Sequence, residues 1–449
     1  MRSKLEFILG YIVNTIVDKA VLWPFYYPII FLMKEVRADR VVQSNGITIL
    51  ALNVNRFRGD LEVLAQSGFK VYKMPYKWQT RIFHAYKDRN LRGQFNAPSA
   101  NSSIYIDRER VRKYLSRLLK EIFLKKDIDC IISAGLFYNQ DLDWGAVSVK
   151  LGYPYIVFHR ENLIVNKDLY VDFVKWAKYL NKIEFVGTSI VFHNKIIKGI
   201  YDKYSGVNSD RIHALGSLRM DKYISDTKSK KNRNNNKRIV LFHFASFNAI
   251  FTNRKENFGW HKLHDKVHTS FVELSVENPG IEFVIKHKGV GWKETEKLLN
   301  DLDAFNISNL KIYGDSSCNN AQKLILESDV VTGFCSTALL EAAIAGKAIV
   351  YPLFDEANDE RYSDFLCFSD SLNMFDVATS KDEYKELIVK RMKYSVVSKK
   401  VMRLRKLQFE KNVSSLNSDA LQKYSELIIS EVKDSNPEKI TDKTIKNML

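Results

Sequence analysis

The sequence predicts an α/β protein built from two doubly wound parallel-sheet domains. Three observations carry this: short apolar runs alternate with helix-patterned segments in both halves, a basic run without apolar pattern separates the halves, and 449 residues exceed what one core ordinarily organises. An apolar content of 45% with 27% charged residues is that of a globular chain. The four cysteines, Cys130, Cys318, Cys335 and Cys367, are scattered without a CxxC pair, which argues against a disulfide framework and fits a reducing cytoplasm. A net charge of +17 favours anionic partners: phosphorylated small molecules, acidic lipid or nucleic acid.

Residues 1–40 form an apolar but interrupted N-terminal segment, "LEFILGYIVNTIVDKAVLWPFYYPIIFLMK" at its centre. Glu6, Asn14, Asp18 and Lys19 break the hydrophobicity, and Pro24 and Pro28 break the longest apolar run, so a spanning helix is a poor fit. Two readings stay open. In one, the segment lies on a membrane surface, with Trp23, Phe25, Tyr26 and Tyr27 at the interface and Lys34, Arg37 and Arg40 reaching anionic headgroups. In the other it is a helix packed on the protein's own core.

The first α/β domain is expected over residues 41–222. "GITILALNV", a helix and "FKVYKM" make a βαβ unit; Val111, Leu115, Leu118, Leu119 and Ile122 then mark one stripe of a long helix before the buried strand "IDCIISAG". "YPYIVFHREN", "IEFVGTS" and "IHALGS" continue the strands. Residues 223–237, "YISDTKSKKNRNNNK", read as a basic linker unable to bury enough apolar area to order itself. The second domain is expected over 238–400, with strands at 238–245, 281–288 and 310–314, and C-terminal helices with a polar tail over 401–449.

Residues 328–354, "SDVVTGFCSTALLEAAIAGKAIVYPLF", read as strand, tight turn at Gly333, helix from Ser336 to Ala345, helix stop at Gly346, and strand. The N–H groups of a helix start and the hydroxyls of Ser336 and Thr337 suit a phosphate, although such residues also serve as ordinary caps. Glu341 falls too late for a capping box and suits a ligand hydroxyl pair such as a ribose, or it is an ordinary helix carboxylate.

This stretch resembles the donor-binding segment of GT-B glycosyltransferases of bacterial surface-polysaccharide (capsule and lipopolysaccharide) synthesis, and of the related CDP-glycerol glycerophosphotransferases and UDP-GlcNAc 2-epimerase group; Ala348 stands where their Gly-Lys is followed by proline. "HALGSLRMD" is similar to the Gly-x-Pro-Arg-x-Asp that closes their first domain, through Gly216, Arg219 and Asp221, and "IEFVIKHKG" occupies the place of their Lys-x-His-Pro strand end. The similarity spans roughly residues 180–380 and specifies the superfamily better than the substrate.

The resemblance implies two Rossmann-like domains facing across a cleft, the first for the acceptor and the second for the nucleotide donor. Lys286, His287 and Lys288 at a strand's carboxyl end would neutralise donor phosphate, with Gly333, Ser336, Thr337, Glu341 and Ser246 completing the donor site. An inverting transfer needs a base from the first domain: Glu161 is favoured, with His159 and Asp60 as further candidates and Asp141 and Asp143 also at a strand end. Asp-x-Asp triplets at 127/129, 141/143 and 301/303 do not suggest a metal-dependent GT-A enzyme, since the two-domain parallel pattern differs; the expectation is a metal-independent reaction without cofactor.

The expected function is transfer of a sugar from a CMP-, CDP- or UDP-linked donor to a lipid-linked or growing surface glycan, by a cytoplasmic enzyme peripheral to the inner face of the membrane. Alternatives are a CDP-glycerol-type polyol-phosphate transferase, a sugar-nucleotide 2-epimerase and a nucleic-acid-binding protein. The last is disfavoured because the basic residues lack the aromatic interleaving of an RNA platform.

Overall fold

The structure, a computed structural model, describes residues 2–19, 26–37, 44–83, 102–160, 162–229, 237–247, 259–314 and 320–435. The chain divides into two units: residues 1–162, 173–221 and 417–449 form the first, and residues 163–172 and 222–416 the second.

The first unit holds a seven-stranded sheet of β1 (Lys34–Glu35), β2 (Thr48–Ala51), β3 (Lys70–Lys73), β4 (Cys130–Ser133), β5 (Tyr155–Phe158), β6 (Ser189–Phe192) and β7 (Ile212–Ala214). Its order is β1-β3-β2-β4-β5-β6-β7, parallel throughout except for the antiparallel edge strand β1. β2, β4, β5 and β6 are buried at every residue, as helices on both faces of a parallel sheet require. The predicted long helix runs Ser103–Lys126. It starts where the Ser102 hydroxyl accepts the Tyr105 N–H at 3.2 Å, ends on Asp127 in the left-handed region (φ 53), and buries all five predicted stripe residues.

The second unit holds a six-stranded, wholly parallel sheet of β8 (Arg238–Phe242), β9 (Glu282–Lys286), β10 (Leu310–Tyr313), β11 (Val330–Gly333), β12 (Ala348–Pro352) and β13 (Asp376–Ala378), in the order β10-β9-β8-β11-β12-β13. With its six strands taken in sequence as one to six, this is the 3-2-1-4-5-6 order of a doubly wound dinucleotide fold. Two parallel-sheet units match the expected fold class.

Several expected boundaries move. The linker expected at 223–237 is helical to Lys228, in the helix Leu218–Lys228, because Tyr223 and Ile224 are buried and give it an anchor that the charged neighbours concealed; residues 230–236 lie outside the described residues. The boundary expected at 401 falls inside the helix Lys399–Asn412, which packs in the second unit, while the helix Ala420–Ser435 belongs to the first. Nor is the N-terminal segment a separate piece. Its helices Arg2–Asp18 and Tyr26–Leu32 pack on the helix Ser103–Lys126 through Val13, Val17, Tyr26, Ile29 and Ile30, and β1 extends the sheet. The opposite side of the same two helices leaves Tyr11 and Phe31 69% and 87% exposed. Among the described residues no helix is long and apolar enough to cross a membrane.

Candidate functional sites at the carboxyl ends of the two sheets

Open parallel sheets bind ligands beyond the carboxyl ends of their strands, where the strand order reverses. That point lies between β2 and β4 in the first unit and between β8 and β11 in the second.

In the second unit the turn after β11 is shaped by close packing. A Cβ at Gly333 would lie 2.9 Å from the Phe242 carbonyl oxygen of β8, so only glycine lets the strands end this close. Cys335 follows with φ 48. The helix expected to begin at Ser336 begins at Ala338 and runs Ala338–Ile344. The Ser336 hydroxyl instead accepts the Ala338 N–H at 3.3 Å, and Thr337 is the N-cap residue without a side-chain cap bond, so the ordinary capping role is realised by Ser336. Glu341 is buried, and its carbonyl accepts the Tyr223 hydroxyl at 2.8 Å. Lys347 is structural: its Nζ donates to the carbonyls of Leu326 (2.7 Å) and Ser328 (2.6 Å), tying off the helix Ala321–Glu327.

Across the reversal, β8 leads to Ser246, buried and donating its hydroxyl to Glu294. Lys286 ends β9, next to β8, and its buried ammonium donates to the Gly314 carbonyl at 2.6 Å. His287 stacks on Trp292 (3.7 Å between centroids, 10° between planes) and Lys288 is exposed. The structure therefore brings Ser246, Lys286 and the Gly333–Thr337 turn to the same edge of one sheet.

In the first unit the reversal is occupied by a buried polar chain. The Asn53 N–H donates to Gln79 Oε1 (2.8 Å), Gln79 Nε2 donates to one oxygen of Asp141, and the Ser133 hydroxyl donates to the other (2.6 Å). Burial pushes the Asp141 carboxyl up to about 7, against the opposing pull of hydrogen bonds from Ser133, Asn53 and Gln79. Asp143, on the same helix, is held by Arg108 at 3.2 Å and Arg112 at 2.8 Å. These two acids are thus internal fixtures rather than bases at an open strand end.

The predicted base candidates separate. Asp60 is buried in an ion pair with Arg160, whose guanidinium also donates to the Phe57 carbonyl at 3.1 Å. His159 is buried and held neutral, its pKa pulled down to about 3 by burial. Its Nδ1 accepts the Leu136 N–H at 3.4 Å, which puts the ring proton on Nε2 and makes that atom a donor. Glu161 lies outside the described residues. Sequence reasoning missed His193 at the end of β6, which Arg160, Arg219 and His159 surround closely enough to add to the burial that keeps it neutral.

The fold and these edges define an α/β protein with two doubly wound units, each with polar side chains gathered where its strand order reverses. No family model and no curated protein sequence matches the chain. Among solved structures, it is similar to the UDP-GlcNAc 2-epimerase from Neisseria meningitidis bound to UDP-GlcNAc, at 13% identity over 86% of this chain and 99% of that one, with a TM-score of 0.46. It is similar also to UDP-GlcNAc 2-epimerase from Methanocaldococcus jannaschii (13% identity, 85% and 99% covered, TM-score 0.47) and to α,α-trehalose 6-phosphate synthase from Burkholderia multivorans (9%, 88% and 99%, 0.43).

Proposed function

We propose that the protein is a GT-B glycosyltransferase that moves a sugar from a CMP-, CDP- or UDP-linked donor to a lipid-linked or growing surface glycan. The observation that carries the reading is the reversal between β8 and β11, which sets Ser246 beside the Gly333–Thr337 turn, with Lys286 one strand away. A nucleotide's phosphates would take the Ser336 and Thr337 side and Lys286, while Glu341 would address the ribose. In this reading lysine charge, in place of a metal ion or cofactor, would meet the phosphate of the departing nucleotide.

The first unit would take the acceptor. Asp60 is committed to Arg160, and His159 presents an N–H, so the role of proton acceptor falls to Glu161 in this reading. The exposed Tyr11, Ile12, Phe31 and Leu32, with the exposed cations Lys34 and Arg37 close by in sequence, support a peripheral position on an anionic membrane, in the cytoplasm.

Thermal-shift measurements against CMP, CDP, UDP, UDP-sugars and RNA test the reading. One nucleotide class should raise the melting temperature, and Ser336→Ala and Glu341→Gln should lose that rise while melting within a few degrees of the wild type unliganded. Retention of the rise in both variants would place the donor elsewhere. Conversion of a UDP-sugar to its 2-epimer without an acceptor would replace the transferase with the epimerase alternative.

A further inference from the structure

Three histidines of the second unit converge just past β8: His243, and His264 and His268 on the helix His261–Glu277. One nitrogen from each lies within 4.8 Å of the others. His264 and His268 are buried and His243 is half-buried. The i, i+4 spacing puts the two helical rings on one face, 4.2 Å apart between centroids.

The protons on these rings are assigned by what the outward nitrogens meet. His243 Nε2 faces the Val290 carbonyl at 3.2 Å, His268 Nδ1 faces the His264 carbonyl at 2.8 Å, and His264 Nδ1 faces the Asp265 carboxylate at 2.7 Å. Carbonyls and carboxylates only accept, so each outward nitrogen carries the proton. The inward nitrogens, His243 Nδ1, His268 Nε2 and His264 Nε2, are then all bare. Two of them, on His243 and His268, face each other at 3.2 Å with no proton between. Reversing either tautomer moves the conflict outward, to the Val290 or the His264 carbonyl. The Thr295 hydroxyl is 2.8 Å from His264 Nε2 and 3.4 Å from His243 Nδ1, but it has one proton to give.

A cation resolves the conflict. Metal-bound histidines characteristically donate their other N–H to a carbonyl or carboxylate, which is the arrangement around all three rings. The 3.2 Å separation also suits two nitrogens about 2.0–2.1 Å from one ion at a tetrahedral angle. We propose that His243, His264 and His268, with the Thr295 hydroxyl oxygen as fourth neighbour, form a site for one divalent transition-metal ion of the zinc class. Neutral imidazoles select this class over magnesium or calcium, which prefer carboxylate and carbonyl oxygens. With three of its four groups buried, the site is closed, and its role is structural: it joins the end of β8 to the helices His261–Glu277 and Trp292–Asp301. It adjoins the donor edge proposed above, with Trp292 between His243 and His287, but does not rest on that proposal.

Full-length protein made without a histidine tag, stripped with EDTA and titrated with CoCl2 and ZnCl2, tests this. Cobalt should bind at one equivalent and give the intense visible bands of a four-coordinate ion, and zinc should displace it. Zinc at a hundred times its Kd should raise the melting temperature by roughly 5–10 °C. His243→Gln and His268→Gln should each weaken binding by at least about 100-fold and lose the rise, whereas His261→Gln, exposed on the same helix, should bind as the wild type does. If His268→Gln does not fold, half-buried His243→Gln and the wild-type cobalt spectrum decide. Absence of a saturable cobalt site in the wild type, or undiminished binding by His243→Gln, would overturn the assignment.

Discussion

The first sheet reverses its strand order between β2 and β4 and the second between β8 and β11, yet the side chains gathered at the two reversals behave differently. In the first unit, Asn53, Gln79, Asp141 and Ser133 bond to one another, and Asp60 pairs with Arg160. In the second, the edge is cationic and hydroxylic, with Lys286 and Ser336 each turned to a backbone group of the turns beside them. The same topology thus yields one edge whose acids are held by side chains of the same unit and another where a lysine and a serine bond to the backbone of the turns beside them.

Breaking the matched edge should have the largest effect. Arg160→Met leaves the buried Asp60 carboxylate without its cation and should cost the first unit about 3–5 kcal/mol. Urea denaturation followed by hydrogen exchange in β2 and β5 measures this, and Asp60→Leu added to Arg160→Met should restore much of the loss. A loss confined to a few tenths of a kcal/mol would mean that the pair is not buried in solution.

On the other edge, Lys286→Ala should weaken binding of the preferred nucleotide by about 10- to 100-fold, the worth of one charge-assisted hydrogen bond. Calorimetric titration gives the ratio. An unchanged affinity would remove the cationic edge from the donor site.

A subtler contrast is pH dependence. Asp141 titrates at about 7 in the folded unit, against about 3.9 for an unfolded aspartate, so between these values the folded state holds the extra proton. Its contribution to stability is therefore greatest below about pH 4 and is lost as pH rises through about 7, with a slope on the order of 1 kcal/mol per pH unit. Exchange of the β4 amides between pH 5 and 8 should show this slope, and Asp141→Asn should flatten it. An identical slope in the variant would assign it to other groups.

The smallest effect on folding belongs to the exposed side of the N-terminal helices. Tyr11→Asp with Phe31→Asp should alter stability by about 0.5 kcal/mol or less at each site, yet release the protein from sedimenting phosphatidylglycerol–phosphatidylethanolamine vesicles. Sedimentation equal to the wild type would leave these helices as packing elements alone.

Parallel-sheet architecture in both halves was legible because strands buried on both faces must be apolar throughout: "IDCIISAG" and "RIVLFHFA" could be placed by composition alone. Gly333 and Gly346 were legible for a related reason, since tight turns and helix ends restrict residue type locally. The linker start at 223 was misplaced because the burial of Tyr223 depends on residues more than a hundred positions away, near Glu341. The N-terminal segment leaves two readings open, leaning to the membrane surface, because its helices carry apolar residues on two sides, and only packing decides which side the core takes.

The site residues divide along the same line. Local pattern found Lys286, Ser246 and the Gly333–Thr337 turn, since strand ends are written in the sequence. It also contained His264 and His268 at helical spacing, a signal visible in "HKLHDKVH" whose meaning needed His243, just past β8. What the chain order determined was the alternation of strands and helices and the residue types at each end, because these follow from local periodicity and backbone freedom. Which ends meet, which acids are neutralised and which imidazole nitrogens face one another were decided by the strand order, because those energies depend on distances between atoms far apart in sequence.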